Sequence, residues 1–252
     1  MAGLVTIGLI AAFFATAVLY AAVGFGGGST YAALLALSGL EYRLLPILAL
    51  ACNIVVVAGS SVRFARAKLT PWKGTILVTA LAAPAAFLGG LTPIGETSFL
   101  LLLGASLVLT GVSMLLPINS DREELAPSAM AKLVPVVAIP LGYIAGLVGI
   151  GGGIFLAPLL HLTRWRNARA IAATASFFIL VNSLFGLAGQ VLKNGTGVFG
   201  GAVAGGIALI VAVAIGGQIG SLMAVKFLPH RVIRWMTAAL VTVVGARLLL
   251  GV

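Results

Sequence analysis

Apolar residues in this chain come in long unbroken blocks separated by short polar corners, not in the three-to-four spacing of a helix with one wet face. The first block, Leu4 to Ala22, ends at Gly24-Phe25-Gly26-Gly27-Gly28. A short segment, Ser29 to Leu37, leads to the polar corner Glu41-Tyr42-Arg43. Leu44 to Val62 is a full span with Asn53 near its middle, and a basic loop over 63–73 follows. Gly74 to Leu91 and Thr97 to Leu116 are two more spans. The hydrophilic stretch Asn119 to Ser128 then divides the chain.

The order then repeats. Lys132 to Val148 runs into Gly149-Ile150-Gly151-Gly152-Gly153, followed by Ile154 to Leu160 and the basic corner 161–169. Ile171 to Ala188 is a span carrying Thr174, Ser176 and Asn182. A turn is expected over Gln190 to Gly195, a long span over Gly197 to Phe227 with Gln218, and a last span over Met236 to Leu250. Aligning Glu41-Tyr42-Arg43 on Arg164-Trp165-Arg166 also brings Asn53 onto Ser176. The layout is an internal duplication.

Clustered glycines break a helix, each being roughly 1 kcal/mol worse than Ala in a helix interior. In hydrocarbon the freed backbone groups have no water, so a break survives only inside protein or beside a wet cavity. Breaks at corresponding places in two halves point to a transporter's binding site. The short limb after each break presents unpaired N–H groups and a positive dipole end, which suits a small anion. The candidate substrate-binding residues are therefore Gly26, Gly27, Gly28, Ser29 and Thr30 in the first half, and Gly151, Gly152 and Gly153 in the second. Polar residues within spans join them: Asn53, Thr174, Ser176, Asn182 and Gln218. Each of these has helix packing as its competing role. Arg43 and Arg166 stand at the two entrances, where snorkelling to the interface competes with anion attraction. Gly197/Gly201/Gly205 and Gly216/Gly220 have the spacing of close helix packing.

Composition agrees with a membrane protein: 61% of the 252 residues are hydrophobic and only 8% charged. The net charge of +10 would suggest nucleic acid in a soluble chain. Here the cations sit in corners between spans, a topology signal and not a nucleic-acid stripe. If each glycine break is the apex of a re-entrant hairpin, each half has a hairpin plus three crossings and the halves are inverted. The loops at 63–73, 118–132, 161–169 and 226–234 then share one side and hold twelve of the 15 Lys and Arg. Arg43, Lys193 and Arg247 are left on the other. That side is external and carries both termini. No basic residue precedes the first block, so residues 4–22 are read as a retained span and not a cleaved signal. The lone Cys52, mid-span, gives neither disulfide nor thiolate metal site, and no metal or cofactor is expected.

These residues resemble the sulfite exporter TauE/SafE family of membrane permeases. The resemblance rests on the paired glycine runs and on Pro158-Leu159-Leu160 after the second. Ala170 to Ser176, Gly217-Gln218-Ile219-Gly220 and Gly245 to Leu249 also look like the family. It covers essentially the whole chain. In the first half Ala51-Cys52-Asn53 stands where a Thr-Ser type pair is common, and the proline after the glycine run is missing near Ala33, so the halves are expected to touch different faces of the substrate. The resemblance implies transport, usually outward, of sulfite, a sulfonate or sulfoacetate.

The expected fold is an all-α membrane protein. It is a polytopic bundle of two inverted repeats, 1–117 and 132–252, joined by a cytoplasmic linker over 118–131. The expected function is secondary transport across a bacterial inner (plasma) membrane, with a proton or sodium as coupling ion and a monomer or homodimer as the unit. A channel or a permease for another small anion or metabolite is the alternative. A membrane-embedded enzyme is disfavoured because no His-Glu-x-x-His, aspartate pair or Ser/His/Asp set lies in the spans.

Overall fold

The computed structural model describes residues 6–22, 24–115, 129–223 and 230–251. Most of the linker over 118–131, part of the corner at 226–234 and the extreme termini lie outside the described residues. Everything regular among the described residues is helix. The first half contains α1 (Ile7–Ala22), α2 (Gly28–Leu37), α3 (Leu44–Arg66), α4 (Trp72–Leu91) and α5 (Glu96–Leu115). The second contains α6 (Val134–Val148), α7 (Gly153–Leu162), α8 (Ala168–Asn194), α9 (Thr196–Met223) and α10 (His230–Leu250). Among the described residues, six helical stretches are long and apolar enough to cross a membrane, whereas α1, α2 and α7 are shorter.

The glycine runs end one helix and start another. Gly149 closes α6 at φ 81°. Gly27 and Gly152 cap the next helices at φ 81° and 79°, in the left-handed region that glycine enters without strain. After the first run the chain turns back on itself. Tyr31 of α2 stacks its ring on Phe13 of α1 with centroids 4.8 Å apart, and the Tyr20 and Thr30 hydroxyls bond at 2.9 Å. A helix continuing straight on would carry Tyr31 about 1.5 Å per residue away from Phe13.

Two helices run antiparallel to their counterparts in the other half. Gly186 of α8 lies against Leu50 of α3, while Ser176 lies against Ser61. Gly104 of α5 lies against Leu249 of α10, while Gly111 lies against Ala238. Parallel pairs cross between the halves. Gly142 and Gly146 of α6 sit on the backbone of Ala82 and Ala86 in α4; Gly216 and Gly220 of α9 sit on that of Phe14 and Val18 in α1. These directions gather the ends of α3, α5, α7 and α9 and the starts of α4, α6, α8 and α10 at one end of the bundle. That end is the basic one. There Trp165 covers Gly74. At the opposite end Lys193 Nζ donates to the Thr92 carbonyl at 3.3 Å.

Three sequence expectations are corrected. The turn expected at Gln190 to Gly195 is the last stretch of α8, which runs to Asn194. Gln190 is buried there and donates to the Gly146 and Leu147 carbonyls at 3.1 and 3.3 Å, so its polarity serves the end of α6 and not a surface loop. Arg63 belongs to the last turn of α3, not to the loop after it. Gly216 and Gly220 do pack closely, but nothing lies within 4 Å of a Cβ at Gly197 or Gly201; Gly206 makes the contact, against Leu48.

Candidate functional site

The two breaks meet at Asn53. This residue lies in mid-α3 and is fully buried; its Nδ2 donates to the carbonyl of Ile150, inside the second glycine run, at 3.1 Å. Glycine makes that approach feasible. A Cβ at Gly26 or Gly28 would collide with the Asn53 amide, and one at Gly28 would stand 2.5 Å from the Ile150 carbonyl oxygen. On the other side a Cβ at Gly151 would stand 2.7 Å from Asn53 Nδ2 and 2.8 Å from Ser183 Oγ. Gly152 is confined between Ala145 and Phe178, and Gly153 lies against Ile179.

Several buried polar atoms on α2, α3 and α8 have no protein partner. Among them are Ser29 Oγ on the first turn of α2, Asn53 Oδ1, both amide atoms of Asn182, and Ser183 Oγ. All four residues are at most 1% exposed. Each such atom costs about 1–3 kcal/mol if left unpaired, so a polar guest that paired them would be stabilised. The first N–H groups of α2 and α7 add donors and positive dipole ends. Those backbone donors suit an oxyanion. These residues are closed to solvent.

The other expected residues fall elsewhere. Thr30 bonds to Tyr20. Thr174 is paired with Thr75 of α4 at 2.9 Å and Ser176 with Ser61 of α3 at 3.0 Å, both contacts between helices toward the basic end. Gln218 is exposed on α9 and accepts from Arg63 Nη2 at 2.6 Å, away from the breaks. Arg43 is exposed, 3.8 Å from the Glu41 carboxylate with its guanidinium over the Tyr42 ring. Arg166 is exposed in the corner before α8. Sequence reasoning missed Ser183, although a signal existed. The offset that sets Asn53 on Ser176 also sets Ser60 on Ser183, and both of those hydroxyls are buried without a partner.

Comparison with known proteins places the chain in one family. The family model "Sulfite exporter TauE/SafE" matches residues 9–248. A probable membrane transporter protein of Sinorhizobium fredii is 32% identical, over 96% of this chain and 98% of its own length. Another, from Methanocaldococcus jannaschii, is 27% identical over 96% of this chain and 94% of its own. No solved structure matches. The chain belongs to the sulfite exporter TauE/SafE family, and it is a multi-pass membrane transporter.

Proposed function

We propose that this TauE/SafE transporter is a secondary carrier that exports a small organosulfur anion, such as sulfite, a sulfonate or sulfoacetate, across a bacterial inner membrane. The observation that carries the reading is the junction at Asn53. Both glycine breaks converge there, mid-span, with the unpartnered Ser29 and Ser183 hydroxyls and the backbone N–H groups of two helix starts beside them. The family description supports the substrate class.

The antiparallel pairing of α3 with α8 and of α5 with α10 supports two inverted repeats about an axis in the membrane plane. Each chain reversal at a glycine run then makes a re-entrant hairpin. The basic end faces the cytoplasm, and both termini face outward. Burial of Asn53, Asn182 and Ser183 supports a carrier with an occluded state over a channel. A proton or sodium gradient supplies the coupling, and no cofactor or metal takes part.

The test is counterflow in proteoliposomes loaded with sulfite, methanesulfonate or sulfoacetate. Exchange of labelled substrate against a trapped pool identifies a carrier. Uptake with no acceleration by the trapped pool indicates a channel, and activity only toward other anions removes the organosulfur reading.

A further inference from the structure

Arg63 is half-buried in the last turn of α3, with its Nη2 on Gln218 Oε1 of α9 at 2.6 Å. Its Nη1 is buried and has no protein partner. Gly59, one turn earlier, makes room for the pair: a Cβ there would stand 3.3 Å from both Arg63 Nη2 and Gln218 Nε2. The neighbouring Phe64 lies over Gly24, the start of the first break. Arg63 therefore stands about 15 Å along α3 from Asn53, on the basic-end side of the first hairpin's apex.

A guanidinium that exists only to mark topology reaches outward into water and headgroups. This one is held sideways against a neutral amide, and a buried donor of a permanent cation faces no acceptor. Such a group is costly unless an anion or water completes it. Its planar fork matches two oxygens of a sulfonate, carboxylate or phosphate group. Gln218, with Nε2 beside the same glycine, offers a further donor.

We infer that Arg63 and Gln218 form a second oxyanion site, separate from the glycine breaks, at the cytoplasmic end of α3 beside the apex of the first hairpin. The inference rests on the transport reading for the direction of traffic, but not for binding itself. The site concentrates anions at the basic end before they pass Phe64 toward Asn53. A lipid phosphate carries the same chemistry, so the source of the oxyanion is part of the test.

The test uses the purified full chain in maltoside micelles, with thermal unfolding followed against methanesulfonate at constant ionic strength. In an Asn53→Ala background methanesulfonate still raises the Tm. Adding Arg63→Gln raises the half-maximal concentration about tenfold or more, as expected for losing a hydrogen bond to a charged group. Arg63→Lys keeps the charge without the fork and gives a smaller rise. Gln218→Ala, which leaves the cation in place, gives a measurable rise even if the Arg63→Gln protein proves too unstable to titrate. An Arg63-dependent shift produced by phosphatidylglycerol and not by methanesulfonate assigns the oxyanion to lipid. If neither probe gives a shift that depends on Arg63 or Gln218, the pair is a helix contact only and the inference fails. Loss of counterflow in Asn53→Ala with normal anion response in Arg63→Gln would sink the inference and leave the proposed function standing. An Arg63-dependent shift in a protein that moves no organosulfur anion would do the reverse.

Discussion

Asn53 and Ile150, from opposite halves of the chain, are joined by a 3.1 Å hydrogen bond between a side-chain amide and a backbone carbonyl. The carbonyl belongs to a glycine run that cannot pair it within a helix. The amide keeps its Oδ1 unpaired on the side of the other run. One side chain thus completes one break and stands open to the other.

Asn53→Ala is expected to weaken binding of the transported anion by about 1–3 kcal/mol, the range for exposing a buried polar partner. Ser176→Ala removes a contact to Ser61 and leaves the breaks intact, so it lowers stability by only about 0.6 kcal/mol, the average for such membrane contacts. Substrate-dependent thermal shifts on both variants separate the two. Equal loss of affinity in both would place Ser176 in the site after all.

Gly151→Ala and Gly201→Ala make a matched pair. The first adds a Cβ at φ +79° and 2.7 Å from Asn53 Nδ2, so transport is expected to fall sharply. The second adds one in open space in mid-helix, where Ala gains up to about 1 kcal/mol over Gly. Counterflow rate and Tm, measured on both, give opposite signs. A fully active Gly151→Ala would remove the breaks from the site.

Gln190→Leu leaves the Gly146 and Leu147 carbonyls without their donor at the buried end of α6. A stability loss of about 1–3 kcal/mol is expected, read as a lower Tm without substrate. An unchanged Tm would mean that water replaces the amide at no cost.

Single cysteines at Lys68 and Gly95, in a Cys52→Ser background, are expected to react with an impermeant thiol reagent from opposite faces of intact membranes. Lys68 follows α3 at the basic end and Gly95 precedes α5 at the other. Labelling of both from one face would contradict the inverted arrangement.

Much of the protein was legible without coordinates because its causes are local. A run of glycines ends a helix wherever it occurs, so Gly24 to Gly28 and Gly149 to Gly153 marked both breaks. Long apolar blocks with basic corners marked the spans and the end that gathers the cations. Asn53 stood out because an amide in mid-span must find a partner.

What only the tertiary structure decided was which helical face meets which. Asn53, Thr174, Ser176 and Gln218 are all polar residues within apolar spans, and matching positions in the two halves set Asn53 beside Ser176 without saying which neighbour either one meets. The antiparallel crossing of α3 and α8 puts Asn53 on both breaks but turns Ser176 to Ser61. The pairing of α4 with α8 takes up Thr174, and α9 carries Gln218 to Arg63. Gln190, read as a turn residue, is drawn inside by the unpaired end of α6, a group more than forty residues away in the chain. Propensity and hydropathy act over a few residues, whereas satisfaction of buried polar groups is settled between elements that meet only when the halves pack.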